Sequence, residues 1–61
     1  MEEVLEQAKR ELLPIPGVVG VSARGYAIIV YVETQEDAAK VPKTFRGYPV
    51  RVEVVGRARL L

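Results

Sequence analysis

The chain has 61 residues, 9 basic and 8 acidic, a formal net charge of +1, and neither cysteine nor histidine. A chain of this length forms one small domain with a limited core. The absence of cysteine excludes disulfides and thiolate metal sites. Histidine, the commonest general base and a common zinc ligand, is also missing. The composition therefore predicts a protein that is not an enzyme and that uses no metal or other cofactor.

Residues 2–13 are predicted to form an amphipathic helix. Its acids lie in the first turn and its bases near the last, as the helix dipole favours. Pro14 and Pro16 cannot continue a helix, so they form a stiff connector to the next element. The apolar stripe of the helix recurs at spacings of four, three and four residues. Its members are Met1, Leu5, Ala8 and Leu12, with Val4 beside them.

Residues 18–33 are predicted to form a β-hairpin, with two runs rich in Val, Ile and Tyr that separate at Arg24 and Gly25. Side chains alternate between the faces of a strand, and both rows of the second run are largely apolar. Such a strand is usually central and covered on both sides. One row holds Tyr26, Ile28, Val30 and Val32, and the other holds Ala27, Ile29, Tyr31 and Glu33.

A second helix is predicted to begin at Thr34, whose hydroxyl can cap it, and to end at Pro42. Residues 43–48 are predicted to form a loop with a turn at Arg46 and Gly47. Pro49 then opens a third strand that runs to Val55, with valines on one face and charges on the other. The last five residues either continue as an edge strand or fray.

These elements predict an α+β fold, a two-layer α/β sandwich in the order α-β-β-α-β with a three-stranded mixed sheet. A strand, a crossover helix and a parallel strand connect with a right hand, which places the second helix on one face of the sheet. The first helix is expected beside it, so both helices lie on one face. The apolar second strand is placed in the middle. A sheet with the first strand in the middle is the alternative.

Four segments between residues 15 and 52 resemble a small bacterial α/β module that often precedes trypsin-like peptidase domains. The resemblance implies the fold alone, because the shared positions are mostly glycine, proline and valine and the peptidase is missing. The helix, Pro-Gly-Val and hairpin also resemble ferredoxin-like metal-transport domains, but the Cys-x-x-Cys of those domains is absent here. The segments of the first resemblance are Ile15-Pro16-Gly17-Val18-Val19-Gly20-Val21, Val30-Tyr31-Val32, Val41-Pro42 and Gly47-Tyr48-Pro49-Val50-Arg51-Val52.

Charge is divided unevenly along the chain. Residues 1–39 carry seven acids and three bases, whereas residues 40–61 carry six bases and one acid. A basic segment of this kind can bind phosphates, so a weak nucleic-acid-binding protein is the alternative function. No aromatic platform of the RNA-binding kind is interleaved with the bases. The candidate contacts are Lys43, Arg46, Arg51, Arg57 and Arg59.

The favoured function is a small interaction or assembly module that forms a homodimer through its sheet surface. If the helices cover one row of the second strand, the chain has no element left for the other, and an exposed apolar patch of this kind indicates an interface. Arg51 and Glu53 would form its polar margin, and Val19 or Val21 could widen it. The alternatives are that the two rows are reversed, or that the C-terminal tail, including Leu60 and Leu61, folds over this face. The predicted contacts are Ala27, Ile29, Tyr31 and Val55.

The environment of the protein is also an expectation from sequence. The longest apolar run covers residues 27–32, which is too short to cross a membrane, and the first residues do not resemble a secretory signal. We therefore expect a cytoplasmic protein without membrane contact, and a larger protein partner remains open beside the homodimer.

Overall fold

The computed structural model describes residues 2–56. They form an α+β domain with two helices and one four-stranded sheet, in which the strand order is β1-β2-β4-β3. The sheet is mixed, because β1 is antiparallel to β2, β2 is parallel to β4, and β3 is antiparallel to β4. In chain order the elements are α1 (Glu2–Leu12), β1 (Val18–Arg24), β2 (Ala27–Val32), α2 (Gln35–Ala38), β3 (Thr44–Phe45) and β4 (Tyr48–Val54).

The core lies between the helices and one face of the sheet. Ile28, Val30 and Val32 of β2 are fully buried there and share a cluster with Ala8 and Leu12 of α1. Side chains of α2, β1 and β4 pack around the same cluster. The prediction that the helices cover this row of the second strand is confirmed for its three strand residues. Met1, predicted on the helix stripe, lies outside the described residues.

The fourth member of that row, Tyr26, was placed wrongly. It is 81% exposed, because the two-residue turn of the first hairpin consists of Gly25 and Tyr26, and β1 continues through Arg24. Gly25 has a φ of +60°. A positive φ at the first turn position matches the twist of the flanking strands and strongly favours glycine. The turn therefore lies one residue later than predicted.

The predicted element order and the count of three strands were also wrong. Residues 43–48 are not a loop, since Thr44 and Phe45 pair with the start of β4 in a second hairpin. Its turn residues, Arg46 and Gly47, both have a positive φ, of 51° and 85°. A two-residue type I′ hairpin turn requires a positive φ at both positions. The edge is held further by the Val50 amide, which donates to the Lys43 carbonyl at 2.9 Å. Burial of the Phe45 side chain in the core explains why so short a strand forms.

The second helix begins as predicted, with Thr34 as its N-cap, but it ends at Ala38 rather than near Pro42. The Asp37 amide donates to the Thr34 hydroxyl at 3.1 Å. Beyond the helix, the Val41 amide donates to the Ala38 carbonyl, three residues back, instead of the four-residue spacing of an α-helix. Pro42 lacks an amide donor and disfavours helical backbone angles at Val41, so the helix cannot continue into it.

The connector before β1 packs closely against α2 at Gly17. Gly17 has a φ of +90°, and a Cβ added to it would overlap the Asp37 carboxyl group. The Gly17 carbonyl also accepts a hydrogen bond of 3.0 Å from the Glu33 amide. Lys40 lies 3.6 Å from the same carboxylate of Asp37. Only glycine therefore fits where the connector passes α2.

Candidate interaction surface

The side of the sheet that faces away from α1 and α2 is called the open face. Both helices of the described chain contribute to the core on the opposite side, so neither covers it. The register aligns Ser22, Ile29 and Arg51 in one row across the strands and Gly20, Tyr31 and Glu53 in the next. The open face includes Gly20, Ser22, Arg24, Ala27, Ile29, Tyr31, Arg51 and Glu53.

At the apolar centre of the open face, Tyr31 is more exposed than Ile29. Ile29 is only 9% exposed although it does not belong to the core cluster, so its neighbours on the face cover most of it. Tyr31 and Ala27 are partly exposed. The ring of Tyr31 lies 3.5 Å from the position that a Cβ on Gly20 would take, which means that the ring leans over this glycine. Tyr31 therefore contributes more exposed apolar surface to the centre of the open face than Ile29 does.

Val55 extends the open face at one end, and Val19 is exposed at the same end of the sheet. Val55 is 48% exposed, and its amide donates to the Val32 carbonyl at 2.9 Å, so the pairing with β2 continues past β4. Val19 is exposed where the register of β1 shifts between Val18 and Gly20. Val21, predicted to widen the same face, instead packs against the core because it pairs with Val30. The prediction for Val21 was wrong.

Charged side chains line the β4 side of the open face. Arg51 lies beside Ile29 and Glu53 lies beside Tyr31, and both charged residues are exposed. Within residues 2–56 neither of them forms an ion pair. An apolar centre with a charged margin is the usual composition of a protein interface.

The predicted nucleic-acid contacts do not form one surface in the described part of the chain. Arg46 lies in the second hairpin turn, where it contacts Glu11 of α1 at 3.2 Å and lies over the Phe45 ring at 5.4 Å. Arg51 lies on the open face, and Lys43 precedes β3 at the edge. Arg57 and Arg59 lie outside the described residues.

Among residues 2–56 no polar or charged side chain is buried. No group of three or more residues able to hold a metal ion occurs among residues 2–56. The shallow depression along α1 is lined mostly by its exposed polar face, where the acids lie at the favourable end of the helix dipole. Neither helix of the described chain is long and apolar enough to cross a membrane.

We expect the protein not to bind nucleic acid measurably. The Arg46 guanidinium is occupied by Glu11, and Arg51 lies next to Glu53, so each local potential is partly cancelled. Fluorescence titration with mixed single-stranded RNA and duplex DNA at 20 and 200 mM salt checks this. Micromolar binding that weakens by about tenfold or more at the higher salt would contradict it.

No family model matches the chain, and the searches of curated proteins and of solved structures give no match either. The resemblance to the module that precedes peptidase domains therefore stays a prediction.

Proposed function

We propose that the protein is a small non-enzymatic assembly module that forms a homodimer through its open face. The observation that supports this most directly is the environment of β2, whose residues are apolar on both faces although helices cover only one. A strand with this composition is usually covered on both sides. A second copy of the chain would supply the missing layer.

The composition of the open face supports a protein partner rather than a small ligand. Tyr31 and Val55 present apolar surface, and Arg51 and Glu53 lie at its margin. The face is a sheet surface rather than a cavity, whereas small molecules bind mostly in concave pockets. Dimerisation would also stabilise a small domain, because a partner that binds only the folded state shifts the folding equilibrium.

Two tyrosine variants test the proposal. Tyr31→Lys places a charge at the centre of the open face, and we expect it to yield monomers because a buried charge without a partner is costly. Tyr26→Lys makes the same chemical change in the exposed hairpin turn and is the matched control. Sedimentation velocity at 10–200 μM gives the mass distribution of each variant, and circular dichroism verifies that each is folded.

A dimeric Tyr26→Lys variant beside a folded, monomeric Tyr31→Lys variant is the expected pair of results. A Tyr31→Lys variant that stays as dimeric as the unmodified chain would exclude the open face as the interface. The free edges of the sheet at β1 and β3 would then be the next candidates. Ile29→Asp is less informative, because Ile29 is nearly buried and its replacement would also unfold the domain.

A further inference from the structure

We infer that the two copies stack open face to open face about a two-fold axis that crosses the strands between Arg51 and Glu53. Each Arg51 then lies opposite Glu53 of the partner subunit, and the contact occurs twice. This inference rests on the proposed function and specifies its partner surface, a second copy in one orientation. The charge pattern of the open face carries it.

The geometry follows from the strand register. Arg51 and Glu53 lie on the same face of β4, two residues apart, which is about 7 Å along a strand. A two-fold axis perpendicular to the strands places each strand over the same strand of the partner subunit, and the two strands run in opposite directions. Position 51 therefore lies over position 53 of the partner subunit, and opposite charges meet. On β2 the same rotation brings Tyr31 over Ile29 of the partner subunit.

A two-fold axis along the strands instead leaves the charges without opposite partners. An axis at β4 places Arg51 over Arg51 of the partner subunit, and an axis nearer β2 places β4 over β2 or over β1 of the partner subunit. Arg51 and Glu53 would then face Ile29 and Tyr31, or Ser22 and Gly20. Covering a charge with apolar or small residues costs desolvation that no ion pair offsets. Charge complementarity thus favours the axis across the strands.

Tyr31 and its neighbour on β1 suit this arrangement sterically. The Tyr31 ring leans over Gly20, so it lies across the sheet instead of projecting fully from it. Facing sheets pack about 10 Å apart, and a ring that lies across its own sheet fits within that distance. The charged pairs lie toward β4, nearer the margin, where they set orientation more than affinity.

Charge reversal tests the axis. Arg51→Glu gives each subunit acids at both positions, so the dimer would bring four acids together, and we expect Kd to rise by about tenfold or more. Glu53→Arg would bring four bases together with the same effect. The double variant Arg51→Glu/Glu53→Arg restores complementarity, and its Kd should return to within about threefold of the unmodified value. Lys43→Glu, an equal change of charge off the open face, should leave Kd unaltered.

A mixture of the Arg51→Glu and Glu53→Arg variants gives the most specific test. One subunit then carries acids at positions 51 and 53 and the other carries bases, so the mixed dimer is complementary at both contacts. Sedimentation equilibrium of an equimolar mixture should show dimers at concentrations where each variant alone is monomeric. This recovery cannot arise from the folding of either chain by itself.

The outcomes separate this inference from the proposed function. If the unmodified chain is monomeric, the proposed homodimer is overturned together with its axis. If the unmodified chain is dimeric but neither single reversal weakens it, or the mixture fails to form dimers, the axis across the strands is wrong while the homodimer stands.

Discussion

Replacement of Gly17 by alanine is expected to lower the free energy of unfolding by about 3 kcal/mol, enough to unfold much of a small domain. The positive φ of 90° costs an L-residue about 1–2 kcal/mol. The new methyl group must also displace the Asp37 carboxyl group, which accepts from the Thr34 hydroxyl at 3.0 Å and lies near Lys40. Urea unfolding followed by circular dichroism measures the loss.

Two comparisons isolate the steric part of this effect. Gly47 has nearly the same φ of 85° but open space around it, so Gly47→Ala should cost only about 1 kcal/mol. Removal of the obstructing side chain by Asp37→Ala should reduce the further cost of Gly17→Ala to a similar value. Equal losses for Gly17→Ala and Gly47→Ala, or no coupling between Gly17 and Asp37, would show that the contact does not matter.

Leu12→Ala is expected to lower the free energy of unfolding by about 3 kcal/mol, because it leaves a cavity in the core. Leu12 is 3% exposed and packs in the cluster that contains Val30 and Val32. The adjacent Leu13 is 43% exposed, and Leu13→Ala should cost less than about 1 kcal/mol. The pair controls for residue type and for position in the chain.

The same urea experiment measures both leucine variants. Similar losses at positions 12 and 13 would contradict the burial of α1 described above. Because dimerisation also adds to apparent stability, both variants are compared at one protein concentration.

The layers of the fold were predictable because they depend on periodicity. The spacing of Ala8 and Leu12 and the alternation of Ile28, Val30 and Val32 correctly identified the surfaces that meet in the core. Turns were harder. A glycine between apolar runs indicates a hairpin, but either neighbour can share the turn with it, and Gly25 shares it with Tyr26 rather than Arg24.

Short elements stabilised by distant contacts could not be predicted. Two residues, Thr44 and Phe45, show no period, and β3 forms through pairing with β4 and burial of Phe45. The ion pair between Arg46 and Glu11 joins positions 35 residues apart. The turn itself was correctly predicted at Arg46 and Gly47, where glycine can take the positive φ of a hairpin turn, but the strand before it was not.

The candidate surface was predicted in its location but not in its detail. Alternation along β2 placed Ala27, Ile29 and Tyr31 on one side, and the structure confirms that no helix of the described chain covers that side. Local sequence does not reveal that Ile29 is nearly covered, because this depends on side chains from neighbouring strands. The register of β1 likewise decides that Val21 faces the core.

The mass of the unmodified chain in solution tests the central claim most directly. Sedimentation equilibrium from 5 to 200 μM in 150 mM salt gives this mass without a label or a shape assumption. Association through the open face predicts a mass that rises with concentration toward about 13.6 kDa, twice the 6.8 kDa of one chain. A mass that stays at 6.8 kDa throughout this range would contradict the proposed homodimer.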